Sequence, residues 1–203
     1  VITLRRFRLL EAALRERGYG PMIEWSETIE PPPDADAFAE RAIYVICNSG
    51  MANAVARLIY ARCMEALQSG RDAVEVFGHP GKAVAIDTIW RERQTLFEAY
   101  RGATDQLVQL RTLPWIGEIT AFHLAKNLGA DLAKPDVHLE RLARRDKTTT
   151  ARLCARLARE TGYRAATIDS ILWRACADRL LNSWLYERDG WKAAFYSGAR
   201  ASD

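Results

Sequence analysis

Apolar residues recur every three or four positions through most of this 203-residue chain, and no stretch alternates apolar and polar residues long enough to form a half-buried strand. That period belongs to amphipathic helices. It runs through Phe7–Leu14, Ala42–Leu67, Val84–Tyr100, Asp105–Leu110, Gly117–Leu128, Val137–Arg145, Thr150–Thr161 and Ala165–Tyr186, and predicts an all-α fold. At 49% hydrophobic content the chain has the means to bury a substantial core. There is no internal repeat or low-complexity tract.

Proline and glycine punctuate the pattern. Pro31-Pro32-Pro33-Asp34-Ala35-Asp36 is the clearest loop, with Asp34 or Asp36 suited to cap the next helix. It divides an expected N-terminal helical arm and loop, 1–36, from the main domain, 37–203. Phe77-Gly78-His79-Pro80-Gly81-Lys82 reads as a turn, in which His79 is a loop residue rather than a base. In Leu113-Pro114-Trp115-Ile116-Gly117, Pro114 ends one helix and Gly117 opens the next. The first N–H groups of that second helix have no partner within it, so with the helix dipole they suit a phosphate oxygen. Leu132-Ala133-Lys134-Pro135 then leads into Asp136, placed to cap a helix beginning at Val137.

Several classes of chemistry find no support. The four cysteines are widely spaced within apolar helical patterns, so they read as core residues of a chain in a reducing cytoplasm, not as disulfides or metal ligands. The sequence offers no metal site, no phosphate loop and no dinucleotide fingerprint, and so implies no cofactor. No apolar run is long enough to span a bilayer, and the opening residues have the spacing of a helix, unlike a secretory signal. A net charge of +3, from 29 Lys+Arg against 26 Asp+Glu, leaves the partner open while permitting a local basic face.

LPWIG, the following GEITAFHLAKNLG and the downstream KPDVHLERLA together resemble the helix-hairpin-helix DNA glycosylases, including the endonuclease III and 8-oxoguanine glycosylase branches. That family carries an LPGVG-type hairpin, a helix, and then an Asp in a VDTH or VDVH setting. Here Gly117 and Asp136 stand 19 positions apart, as in the family. FGHPGKAVAI (77–86) and YVICNSGMANAVARLI (44–59) are similar to upstream family segments, and GEITAFHLAKNLG looks closest to the archaeal-type 8-oxoguanine glycosylases. The likeness covers about residues 40–185, and 113–143 carry most of it.

The resemblance implies a helical domain of two lobes with a cleft between them, with the hairpin at 113–128 and a catalytic-Asp loop at 132–138. It implies a monomeric enzyme that binds double-stranded DNA, extrudes a damaged or modified base and cleaves its N-glycosidic bond. Asp136 is the expected catalytic carboxylate, since a negative charge near C1′ stabilises an oxocarbenium-like sugar and can orient water. By itself the residue reads better as a plain N-cap, worth about 1 kcal/mol, and it is the hairpin 19 residues earlier that turns the reading toward catalysis. DNA contacts are expected from Pro114, Ile116, Gly117, Thr120, His138 and Lys82, although His138 also suits a solvated or core position. Asn48 and Met51 are candidates to fill the gap left by the base, or else a cap and a core residue. Trp115 and Trp173 are candidates for the base pocket, with packing the alternative for each.

Two departures stand out. Bifunctional relatives place a Schiff-base Lys where this chain has Ile119, which shifts the expected nucleophile to water and the activity to a monofunctional hydrolase. Trp115 replaces the first glycine of the hairpin. The alternatives are a non-catalytic helix-hairpin-helix DNA-binding protein, or a glycosylase/lyase using an unorthodox amine.

Overall fold

In the computed structural model, which describes residues 1–196, short polar side chains set the points at which periodic sequence becomes helix. Thr3, Asp34, Asp105, Asp136, Thr149 and Asn182 each have extended backbone and accept a hydrogen bond from an N–H in the following first turn. Thirteen α-helices result among the described residues. They are α1 (Leu4–Glu16), α2 (Gly20–Thr28), α3 (Ala35–Asn48), α4 (Asn53–Gln68), α5 (Pro80–Arg91), α6 (Arg93–Gly102) and α7 (Gln106–Leu110). These are followed by α8 (Glu118–Asn127), α9 (Val137–Arg145), α10 (Thr150–Thr161), α11 (Ala165–Ala177), α12 (Ser183–Asp189) and α13 (Trp191–Ala194).

The all-α expectation holds, and α9 and α10 coincide with the periodic stretches that predict them. Three longer stretches are each divided into two helices. The break at 49–52 separates α3 from α4, Glu92 separates α5 from α6, and 178–182 separate α11 from α12. Helix α2 was not anticipated, because its short sequence has little amphipathic contrast.

The chain divides into two units, 1–29 with 131–203, and 30–130. This differs from the expected division near residue 36, because α1 and α2 pack on α11. In the first unit Phe7, Leu10 and Leu14 of α1 share a core with Leu139, Leu142, Ile168, Ile171, Leu172 and Tyr186. Each fully buried large apolar side chain contributes about 1.5–3 kcal/mol.

Glu11 lies inside this unit. It accepts from the Tyr163 hydroxyl at 2.6 Å, Arg8 Nη1 at 2.6 Å and Arg15 Nε at 3.2 Å. Burial pushes its pKa up, but the three donors outweigh that and hold it below the ordinary 4.5. A carboxylate depressed in this way adds stability that is present above its unfolded pKa and is lost as pH falls through its folded one. Urea unfolding at a series of pH values should therefore show a shallower acid limb for Glu11→Gln than for the parent protein.

The second unit is arranged around α3, which packs on α4, α5, α6 and α8. Phe38 sits between Phe97 and Tyr100, with ring centroids 5.7 and 5.3 Å away. The Arg41 guanidinium donates to the Glu30 carbonyl at 2.7 Å and to the Asn127 carbonyl at 3.1 Å, tying the end of α8 to the proline-rich loop. Gly129 completes this junction. Its φ is +93°, and a Cβ there would stand 2.8 Å from the Pro31 backbone nitrogen.

Candidate functional site

Helices α7 and α8 form the hairpin of the second unit. Leu113 and Ile116 are buried and pin the turn from beneath, and the Ile116 N–H closes it on the Leu113 carbonyl at 3.1 Å. Ile116 is therefore an anchor of the core, with both its side chain and its N–H engaged in the fold. Trp115 has φ +66°, in the left-handed region that favours glycine. Trp115, which stands where the hairpin resembled in sequence has a glycine, thus takes up a glycine-like φ.

The Trp115 indole lies against the loop before α5. It meets His79 edge-on with centroids 5.1 Å apart, and one of its ring carbons lies 2.7 Å from where a Cβ at Gly81 would stand. Gly81 is needed there because any side chain would displace the ring. His79 is the N-cap of α5, its Nδ1 accepting from the Lys82 N–H at 3.3 Å.

Gly117 is the N-cap of α8 and supplies no side-chain cap. Its surroundings are open, with nothing within 4 Å of an added Cβ. The first-turn N–H groups of α8 therefore receive no side-chain cap from this residue. Pro114 and Thr120 are half-buried beside this opening, whereas Glu118 and Ile119 are exposed.

Lys82 does not present its charge at the surface. It is 5% exposed, and its ammonium donates to the Ser49 carbonyl at 2.5 Å. Burial lowers its pKa. The expected phosphate contact is thus an internal brace for the 48–51 turn, in which Gly50 has φ +66° and Asn48 and Met51 are half-buried.

Asp136 belongs to the other unit from the hairpin. As N-cap of α9 it accepts two hydrogen bonds through the same oxygen: His138 N and Leu139 N both lie 3.0 Å from Oδ1. Oδ2 is left facing the Lys134 ammonium at 3.7 Å. Lys134 Nζ in turn lies 5.9 Å from the centre of the Trp173 ring, which brings this pocket candidate into the Asp136 neighbourhood. Trp115, the other candidate, is in the hairpin unit. The Lys134 N–H donates to Asp169 Oδ1 at 3.0 Å, and the Ala166 N–H to Asp131 Oδ1 at 2.9 Å, so α11 holds both ends of the 131–134 segment. Burial, and then the Asp136 charge, push the Cys176 thiol up to about 12, which keeps it protonated at neutral pH.

His138, two residues after Asp136, places Nδ1 2.8 Å from the Ser183 hydroxyl. Both side chains line an open cleft of about 550 Å³ within the first unit, together with Arg141, Arg179, Trp184 and Tyr196. The sequence reading did not single out those last four residues. The His138–Arg141 spacing was the only available signal, since it places both on one face of α9.

No group of His, Cys, Asp and Glu suited to hold a metal occurs among the described residues. No described helix is long and apolar enough to cross a membrane. No family model, curated protein or solved structure matches the chain.

Proposed function

We propose that the protein is a helix-hairpin-helix DNA glycosylase that removes a damaged or modified base from duplex DNA by hydrolysis, acting as a monomer with no cofactor. The observation that carries this reading is the unequal use of the two Asp136 oxygens. Oδ1 is committed to two backbone N–H groups, which fix the orientation of the carboxylate, while Oδ2 accepts no hydrogen bond among the described residues.

In the reaction the C1′–N bond breaks and its electron pair leaves with the base, and the Asp136 charge stabilises the cationic sugar. Water then bonds to C1′, with Oδ2 placed to take its proton. The open N-terminus of α8 grips a backbone phosphate through neutral amides, which requires no nearby cation. Charge distribution fits this division of labour. Residues 1–29 and 131–203 carry 19 Lys+Arg against 14 Asp+Glu, whereas 30–130 carry 10 against 12, so the unit with Asp136 is the more attractive to DNA.

A panel of duplexes bearing oxidised, alkylated and otherwise modified bases tests the reading, with free base detected separately from strand breakage. Release of a base without strand breakage is the expected result.

One observation favours a second reading, in which an amine attacks C1′. Lys134 Nζ lies 3.7 Å from Asp136 Oδ2, so any sugar carbon beside that carboxylate is also near this ammonium. Borohydride separates the two mechanisms, because it reduces a Schiff base to a stable protein–DNA adduct. Hydrolysis predicts no adduct on damaged or abasic duplexes. An adduct that disappears in Lys134→Gln would assign the amine route instead.

A further inference from the structure

The cleft beside α9 has a composition that the glycosylase reading does not use. Its polar wall carries Arg141, Arg179, His138 and Ser183, its aromatic wall Trp184 and Tyr196, and no carboxylate among the described residues lines it. The carboxylate that pairs with Arg141 is shared. Glu187 lies 3.8 Å from Arg141 Nε through Oε2, but its Oε1 is taken by Arg144 Nε at 2.7 Å. One carboxylate is thus shared by two guanidinium groups. Arg179 pairs with no carboxylate among the described residues.

Arg179 also occupies a costly backbone position. It follows the C-cap of α11, with φ +59°, where helices commonly place glycine or asparagine. A long cationic side chain held in the left-handed region at a cleft wall is the kind of strain that collects at binding sites.

The aromatic wall is held from outside the cleft. Arg188 lies over the Trp184 ring at 4.3 Å and pairs with Asp189 at 2.7 Å, so its charge is already engaged. Tyr196 is positioned by its N–H donating to the Leu180 carbonyl at 3.0 Å, next to the Leu181–Phe195 bridge. A bare phosphate would leave most of the cleft unfilled, while its volume falls within the range of about 300–1,000 Å³ typical of small-molecule sites.

We propose that this cleft binds a phosphate attached to a planar ring, namely a nucleoside 5′-monophosphate or the phosphorylated 5′-terminal nucleotide of a DNA strand. Arg141 and Arg179 hold the phosphate, and Trp184 and Tyr196 offer faces to the base. His138 Nδ1 is engaged with the Ser183 hydroxyl, which orients the ring at the cleft wall. The site does not include Asp136, and the proposal stands or falls separately from the proposed base excision.

Calorimetric titration of the full chain with thymidine 5′-monophosphate, thymidine, inorganic phosphate, and a short single strand with or without a 5′-phosphate tests it. The monophosphate or the 5′-phosphorylated strand should bind at least about tenfold more tightly than its unphosphorylated counterpart and than inorganic phosphate, a tenfold difference being about 1.4 kcal/mol. Preference for the free monophosphate or for the strand identifies the source. Arg179→Gly is the decisive variant, since glycine accepts the left-handed backbone. It should melt at or above the parent temperature yet bind at least about tenfold more weakly. Arg141→Gln should weaken binding in the same direction. Absence of binding by both phosphorylated probes at millimolar concentration would overturn the proposal, as would binding that survives Arg179→Gly intact.

Discussion

Asp136→Asn is expected to reduce base release by about a hundredfold to a thousandfold, the scale associated with removing one preorganised electrostatic group from a reacting centre. Its melting temperature should hardly change. The carboxylate's structural task is to accept N–H bonds from His138 and Leu139 at the start of α9, and the Asn side-chain oxygen performs that task nearly as well. What Asn removes is the negative charge at Oδ2, which faces Lys134 and has no backbone duty. The substitution therefore separates the two roles of one residue. Single-turnover release of free base, measured on the best substrate of the duplex panel, gives the chemical readout, and thermal unfolding gives the structural one. Base release that persists at the parent rate would remove Asp136 from the chemistry and favour a DNA-binding module in which it serves only as a cap.

Asp146→Ala should instead destabilise the protein, by about 3 kcal/mol, without touching the candidate chemistry. Asp146 follows α9, its side chain 1% exposed, and joins two segments distant in sequence. Its Oδ2 accepts from the Ile2 N–H and its Oδ1 from the Tyr186 hydroxyl, both at 2.7 Å. Alanine would leave these two donors without their acceptor in the core of the first unit. Burial and the Asp146 carboxylate together raise the Tyr186 pKa, so the phenol remains a donor throughout the neutral range. Tyr186→Phe should cost less, about 1 kcal/mol, because it removes one hydrogen bond and leaves Asp146 its contact with Ile2. Urea denaturation of both variants checks the order. Equal stability of Asp146→Ala and the parent would show that this junction adds nothing to the fold.

Much of the candidate site was legible where the deciding interaction is local. Asp136 caps α9 because its acceptor reaches N–H groups two and three residues ahead, a distance that sequence spacing specifies directly. The turn at Leu113–Gly117 was legible for the same reason, with Pro114 and Gly117 marking it from within. Lys82 was not legible. It is a lysine in the first turn of a helix, ordinarily a solvated position, and its burial depends on the Ser49 carbonyl 33 residues away. Ile116 was read through its place in a phosphate-binding motif, yet an apolar side chain flanking a tight turn is drawn into the core by the gain from burial. Trp115 shows both sides of the matter. The motif marked the position as one for glycine, but only the folded chain places the indole against His79 and Gly81.

By itself the sequence determined the helical class and many of the helix starts, because a 3.6-residue period and a capping side chain act over a single turn. It also determined that an uncapped helix start and a capping carboxylate would exist, 19 residues apart. The tertiary structure decided which side chains remain available for chemistry. It buried Lys82, joined α1 and α2 to the C-terminal helices, left Asp136 Oδ2 beside Lys134, and brought His138 to Ser183 across 45 residues. Burial and charge pairing are properties of packed surfaces, and those surfaces are assembled from segments whose separation along the chain carries no record of their contact.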